Sequence, residues 1–228
     1  PQYAPAWARL ARCQYLIAKW TGEDVTRNLA KAEAAFHRAL ELNPELPIGH
    51  KLYAHLEADQ GRPKQAMIRL LARARVNSSD AELFSGLVHA CRYCGLLEAS
   101  VAAHEQAARL DPNIITSVGH SYFYLGDYDR AMRASMGDFG YLKGVALGML
   151  NRREEAISIL HETEQKFPLA VLRGYPVSLR ALLEGRRSES IEAAEATIAA
   201  HVRDPEGLFY LGRQFVYLGG TARALEIL

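Results

Sequence analysis

The sequence predicts an all-α protein built from repeated pairs of antiparallel helices, and two observations lead to this prediction. The first is composition, since the 228 residues include 35 Ala and 30 Leu against 10 Val and 10 Ile. Ala and Leu favour helices, whereas β-branched residues favour strands. The second is a pattern of small and large side chains that returns along the chain, as it does in solenoids. Together they exclude a β-sandwich, a β-barrel and a large α/β sheet.

The repeated pattern is a small residue, then a large apolar residue four positions later, a second small residue three positions on, and a Pro five positions after that. A small residue lets two helices approach closely, and a large one fills the space beside it. One segment carries the pattern completely, and three others carry it with substitutions. The complete copy is Ala32, Phe36, Ala39 and Pro44, and the modified copies begin at Ala66, Ser100 and Ala156.

In each later helix pair a turn residue precedes the second helix, which we call the outer helix. This residue is Gly or Asn in every case. These residues tolerate the left-handed backbone conformation that helix ends often need. The spacing between successive turns is regular except in the middle of the chain. The turns are Gly61, Gly95, Gly126, Asn151, Gly185 and Gly219, separated by 34, 31, 25, 34 and 34 residues.

The chain resembles the tetratricopeptide repeat (TPR) family through two further segments, Trp7-x2-Leu10-Ala11 and Leu208-x2-Leu211-Gly212-x2-Phe215-x3-Gly219-x4-Ala224. The resemblance implies a right-handed superhelical solenoid of about seven antiparallel helix pairs, with the first helix of each pair on the concave side. The opening segment Tyr3-Ala4-Pro5-Ala6-Trp7 is also similar to the first repeat of TPR regions in bacterial multidomain signalling proteins.

We expect one continuous solenoid with two parts. Residues 1–136 form an N-terminal array of four repeats, and residues 137–228 form a C-terminal array of about three repeats, of which the last is truncated. The first repeat contains about nine extra residues between Tyr15 and Ala32, which predict a longer first helix or an extended loop. Pro205 comes late in its repeat, which predicts that the preceding helix, beginning near Ser188, continues to Val202.

The array is expected to be irregular near residues 126–151, where only 25 residues separate two turns. The outer helix from Asp127 to about Met136 should be short. Gly140, Gly144 and Gly148 follow at intervals of four residues and are predicted to form one stripe on a helix. Such a stripe favours close packing, either within the chain, which we prefer, or in self-association with a second chain.

Charge and cysteine content limit the possible partners and location. Lys and Arg total 27 against 26 Asp and Glu, so the formal charge is +1, which does not favour nucleic acid as a partner. The apolar runs are too short and interrupted to span a membrane.

Three cysteines do not make a disulfide framework and indicate the cytoplasm. The chain begins and ends as though cut from a longer protein.

The family resemblance places particular repeat positions on the concave wall. At positions five, six, nine and twelve of the repeats we find Arg and Lys but no Asp or Glu. We therefore expect a mildly basic groove that favours an acidic partner segment or a chain terminus. Among the Tyr residues at groove positions, we lean towards exposure for Tyr124 and Tyr217, although Tyr also fills cores well.

Three histidines, His55, His89 and His120, hold the same position in consecutive repeats. They form either a polar ladder for a peptide, a set of half-buried packing residues or a metal site. We disfavour metal, because equivalent points on stacked helices lie about 9–10 Å apart. Including these histidines, the predicted partner-binding set is Arg9, Arg12, Lys51, His55, His89, Arg92, Tyr93, His120, Tyr124, Tyr141, Tyr175, Tyr210, Arg213 and Tyr217.

The sequence contains no catalytic motif, whether a nucleophile elbow, a phosphate-binding loop or a zinc-protease helix. We therefore expect no catalytic residue, cofactor or metal. The first hypothesis is a protein-interaction scaffold that binds a protein or peptide in an aromatic-lined groove. The alternative is the regulatory or sensor region of a larger bacterial signalling enzyme or transcription regulator.

Overall fold

A computed structural model describes residues 2–134, 140–166, 170–200 and 203–228, and all regular secondary structure in those ranges is helical. The all-α prediction is confirmed. Contacts between successive helices divide the chain into two compact units. Unit 1 comprises Pro1–Ala18 and Glu23–Gly126, and unit 2 comprises Lys19–Gly22 and Asp127–Leu228.

Unit 1 contains three helix pairs and one further short helix. From the second helix onwards, each helix of unit 1 contacts the next, as expected of helical hairpins. The helices are α1 (Ala4–Thr21), α2 (Val25–Leu42), α3 (Pro47–Asp59), α4 (Pro63–Val76), α5 (Ala81–Tyr93), α6 (Leu97–Leu110) and α7 (Val118–Tyr124).

Unit 2 has the same construction, and the first helices of two of its pairs are shorter than those of the pairs in unit 1, with 9 and 10 residues. Its α12 ends at Ala199 rather than continuing to Val202 as predicted, and Val202 itself lies outside the described residues. The helices are α8 (Tyr128–Ala134), α9 (Tyr141–Met149), α10 (Arg153–Lys166), α11 (Gly174–Leu183), α12 (Arg187–Ala199), α13 (Pro205–Tyr217) and α14 (Thr221–Ile227), with a 3-10 turn at Ala170–Arg173.

The predicted turn residues all adopt the left-handed conformation. Gly residues occur there because they lack the Cβ that disfavours positive φ, and Asn is among the residues that tolerate it best. The prediction from spacing is therefore confirmed at each turn. The φ angles are 76° at Gly61, 74° at Gly95, 79° at Gly126, 58° at Asn151, 79° at Gly185 and 74° at Gly219.

The extra residues of the first repeat lengthen its helices. Both α1 and α2 have 18 residues, whereas α3 to α6 have 13 or 14. The connection is a short turn with φ 68° at Gly22 and 43° at Asp24. The structure thus selects the longer helix over the extended loop.

Each outer helix has a small residue five positions after its turn, and this residue is almost completely buried. The same holds for Ala32 in the first pair, where the turn differs. Large side chains fill the adjoining space, for example Phe36, whose ring stacks on Tyr53 with centroids 5.2 Å apart. The small residues are Ala32, Ala66, Ala131 and Ala156, at 0% exposure, with Ser100 and Ser190 also at 0% and Ala224 at 2%.

The irregular region has short helices, since α8 has 7 residues and α9 has 9. The predicted end of the outer helix at Met136 lies outside the described residues. The prediction that Gly140 belongs to a helical stripe is wrong. Gly140 is the N-cap of α9 and has the left-handed conformation, with φ 83°. Gly144 lies on α9 against Leu160 of α10, so its close contact is within the chain.

Replacement by Ala should change the free energy of unfolding in opposite directions at two glycines of α9. A Cβ at position 144 would lie 2.7 Å from the Leu160 Cγ, and Leu160 is fully buried, whereas a Cβ at 148 would lie 3.6 Å from Leu183. Ala gains about 1 kcal/mol over Gly in a helix, but overpacking costs about 1–3 kcal/mol. We expect Gly144→Ala to lower the free energy of unfolding and Gly148→Ala to raise it, measured by urea denaturation. Equal effects would contradict the packing at Gly144.

Candidate functional site

The fourteen predicted partner-binding residues lie on α1, α3, α5, α7, α9, α11 and α13, but they differ widely in exposure. Arg9, Tyr124 and Tyr217 are exposed. His89, Arg92, Tyr141 and Tyr175 are buried, so these four cannot form a binding surface as predicted. The remaining seven are half-buried: Arg12, Lys51, His55, Tyr93, His120, Tyr210 and Arg213.

Two of the three histidines form a stacked pair rather than a spaced ladder. The ring centroids of His55 and His89 lie 4.2 Å apart, with the planes 7° from parallel. The His89 ring also lies 4.5 Å from the ring of Tyr93. The spacing of about 9–10 Å applies to helix axes, whereas these side chains lean towards each other from α3 and α5. In the described residues, no group of three or more His, Cys, Asp or Glu could hold a metal ion.

The guanidinium of Arg92 is part of the same packed cluster. It lies 4.9 Å from the centre of the Tyr93 ring, and its Nη2 donates to His89 Nδ1 at 3.3 Å. Only 8% of Arg92 is exposed. Its contacts with two aromatic rings indicate a structural role inside unit 1, where a cation over a π face is stabilising.

Acidic side chains lie close to the basic residues of unit 1, contrary to the expectation of an acid-free wall. Lys51 Nζ donates to Glu82 Oε2 at 2.6 Å. Asp59 accepts hydrogen bonds from the hydroxyls of Tyr93, at 3.2 Å, and Tyr15. Positions five, six, nine and twelve carry no acid, but positions two and thirteen supply Glu82 and Asp59, which reduce the basic character of this face.

Unit 2 contains a cluster of three tyrosines contributed by α9, α11 and α13. The rings of Tyr141 and Tyr210 stack with centroids 5.4 Å apart, and Tyr175 meets Tyr141 edge-on at 6.1 Å. Burial raises the pKa of Tyr141, and burial together with the Asp204 carboxylate raises the pKa of Tyr175. Both phenols therefore remain neutral at physiological pH and serve as packing residues.

An exposed apolar face lies on α13 beside this cluster. The helix begins where Asp204 accepts a hydrogen bond from the Glu206 backbone N–H at 3.1 Å. Phe209 is 40% exposed, Val216 49% and Tyr217 50%. They share one face with Arg213, because residues separated by four, seven and eight positions align on a helix.

The α13 face, defined as Phe209, Arg213, Val216 and Tyr217, was only partly identified by the sequence. Arg213 and Tyr217 were in the predicted set, and the Arg213 guanidinium lies 5.5 Å from the Tyr210 ring centre. Val216 is outside the predicted set, which contains only Arg, Lys, His and Tyr residues. The exposure of an apolar side chain depends on which neighbouring residues pack over it, and the repeat pattern alone does not identify these neighbours.

Both cysteines of the Cys91-Arg92-Tyr93-Cys94 segment are free thiols, as is Cys13. Burial raises the pKa of Cys91 to about 11. Burial also raises the pKa of Cys94. The thiolates are therefore disfavoured, and this segment is not a reactive thiol pair.

The fold has clear counterparts among solved structures, although no family model and no curated protein matches the chain. A tetratricopeptide repeat protein from Parabacteroides merdae superposes with a TM-score of 0.56 at 13% identity, over 98% of this chain and 91% of that one. This likeness shows that the chain has the tetratricopeptide-repeat fold, as the sequence predicted.

Two other solved structures are similar over 98% of this chain, each at 12% identity. One is a chain of the Naa15/Naa10 complex bound to HypK-THB, with a TM-score of 0.45 and 35% of that chain covered. The other is pilF of Pseudomonas aeruginosa, with a TM-score of 0.40 and 88% covered. In the described part of this chain, no helix has the length and apolar character needed to cross a membrane.

Alanine variants of two arginines in the predicted set distinguish a structural role from a surface role. Arg92→Ala removes a buried side chain with hydrogen-bond and aromatic partners, so we expect the free energy of unfolding to fall by about 1–3 kcal/mol. Arg9→Ala, at an exposed position on α1, should change it by less than about 0.5 kcal/mol. Urea denaturation of both variants measures the difference. If Arg92→Ala were as mild as Arg9→Ala, Arg92 would have no structural role.

Proposed function

We infer that the chain is a protein-interaction scaffold whose principal contact surface in unit 2 is the α13 face. The observation that supports this is the exposure of three apolar side chains around one arginine: Phe209, Val216 and Tyr217 around Arg213. Contiguous exposed apolar groups are unfavourable in water, and they mark binding sites more often than solitary ones do. Aromatic and Arg side chains are also the most frequent energetic anchors of protein interfaces.

The partner is a protein or peptide segment with apolar side chains that cover the α13 face and an acidic group opposite Arg213. Solenoid repeats present extended surfaces suited to such segments. In unit 1 the basic face contributes through Arg9, which is exposed, and through Arg12, which lies 5.2 Å from the Tyr15 ring centre. Lys51 contributes less, because Glu82 already pairs with it.

The role proposed for this chain is binding rather than catalysis, in the cytoplasm. The free thiols of Cys13, Cys91 and Cys94 are compatible with a reducing compartment. Self-association through the glycine region is not favoured, because a Cβ added at Gly140 or Gly144 would meet Thr163 or Leu160 of the same chain.

A second candidate is the regulatory or sensor region of a larger bacterial signalling enzyme or transcription regulator. The opening segment Tyr3-Ala4-Pro5-Ala6-Trp7, with the long α1 that follows, supports this candidate through its similarity to such proteins. The same faces would then bind the regulating ligand. The sequence of the gene on both sides of this chain distinguishes the two candidates.

Alanine replacement tests the α13 face directly. The chain, immobilised as bait in an extract of its source cell, should retain a partner that mass spectrometry identifies. With that partner purified, Phe209→Ala with Tyr217→Ala should weaken the affinity at least about tenfold, since anchors each contribute about 1–2 kcal/mol or more. Leu225→Ala is the control, because Leu225 is 71% exposed but lies on α14.

Two results would contradict the proposal. One is a partner whose affinity for the double variant equals that for the unaltered chain. The other is a loss of affinity in the Leu225→Ala control as large as that in the double variant.

A further inference from the structure

The first helix pair, α1 and α2, carries a second exposed apolar surface made of residues outside the α13 face. The buried side of α1 is the row Ala4, Ala8, Ala11, Tyr15 and Ala18. One position before each of these is another row, with alternating spacings of four and three residues. That row is Tyr3, Trp7, Leu10, Gln14 and Ile17, in which Tyr3 is 67% exposed, Leu10 46% and Ile17 36%.

The spacing of this row is that of a helix–helix seam. Alternation of four and three residues keeps side chains on one side of a helix, and it is the pattern by which two helices interlock. The row follows α1 for about four turns, a length along which a second helix can match it turn by turn. An α-helix is the occupant whose own side chains fit this spacing.

The second helix of the pair forms the other wall. A hollow of about 430 Å³ lies between α1 and α2, lined by Trp7, Leu10 and Gln14 on one side and by Lys31, Ala34 and Arg38 on the other. Ala34 is small and exposed, so a third helix could approach α2 closely. We call this hollow with its two rows the α1–α2 groove.

The charged side chains that line the α1–α2 groove are all positive, and both lie on α2. Its lining includes the cations Lys31 and Arg38 and no acid. Arg38 pairs with Glu41 at 3.0 Å, but this pair is solvent-exposed and contributes little. In the described part of the chain, Lys31 makes no ion pair. The α2 side therefore attracts carboxylates.

We propose that the α1–α2 groove docks an amphipathic helix of a partner protein, with an apolar seam that packs on Trp7 and Leu10 and with acidic side chains beside Lys31 and Arg38. A second copy of this chain does not fit, because two such grooves facing each other would bring their cations together. The partner helix would extend the stack of helix pairs by one layer.

A pair of synthetic peptides tests the proposal on the full chain. Each is a helix of about 20 residues with Leu along a seam, flanked by Glu in one peptide and by Lys in the other, and fluorescence anisotropy measures binding. The Glu peptide should bind. The double variant Lys31→Glu with Arg38→Glu should weaken that binding at least about tenfold and should bind the Lys peptide instead.

Matched variants locate the binding. Leu10→Asp should remove it, whereas Ile68→Asp should not, since Ile68 is 56% exposed on α4. Lys64→Glu, at another exposed cation of α4, is the charge control. The Phe209→Ala with Tyr217→Ala variant should bind the Glu peptide normally, which separates this proposal from that for the α13 face.

Three results would overturn the proposal. The first is absence of binding by the Glu peptide, and the second is equal binding of both peptides by the unaltered chain. The third is a dimer, seen by sedimentation, that Leu10→Asp dissociates, because the occupant would then be a second copy.

Discussion

The structure depends on one constraint, which is that paired helices approach so closely that only a small side chain fits between them. The pairs that show this contact are α3–α4, α5–α6, α9–α10, α11–α12 and α13–α14. The hydrogen bonds of one pair show this contact directly. Ser178 Oγ on α11 donates to the Ser190 carbonyl at 2.6 Å, and Ser190 Oγ on α12 donates to the Ser178 carbonyl at 2.8 Å. Side chains bonded reciprocally to the partner's backbone leave no space for a larger residue.

The same position accepts Ala or Ser, because both are small and because a hydroxyl there finds a backbone acceptor. Ser100 Oγ donates to the Val88 carbonyl at 2.7 Å, and Gln214 Nε2 donates to Ser190 Oγ at 3.1 Å. Buried hydroxyls are tolerated where they are hydrogen-bonded.

The helices and turns could be predicted from the sequence because local rules determine them. The left-handed turn residues and the small residues five positions later recur visibly, and α1 is long because residues were added between Tyr15 and Ala32. The residues that contact one another across pairs were less predictable. Repeat position tells which side of a helix a side chain occupies, but not whether the next helix covers it.

The errors at the candidate site have this common origin. Arg92 and Tyr141 were placed on a surface, yet they are buried because neighbouring aromatic rings lie against them. Glu82 lies at repeat position two of α5, outside the four positions used to predict the basic groove, and it pairs with Lys51 of α3. The exposure of Val216 and Leu10 likewise depends on contacts beyond their own helices.

A comparison of two alanines in α4 tests the central constraint most directly. Ala66 is the buried small residue of its pair, at 0% exposure, and Ala72 is exposed on the same helix. Valine adds the same atoms and the same helix penalty at both positions, so only the space available differs. The account predicts that Ala66→Val lowers the free energy of unfolding by about 1–3 kcal/mol more than Ala72→Val does, measured by urea denaturation. A difference below about 0.5 kcal/mol would contradict it.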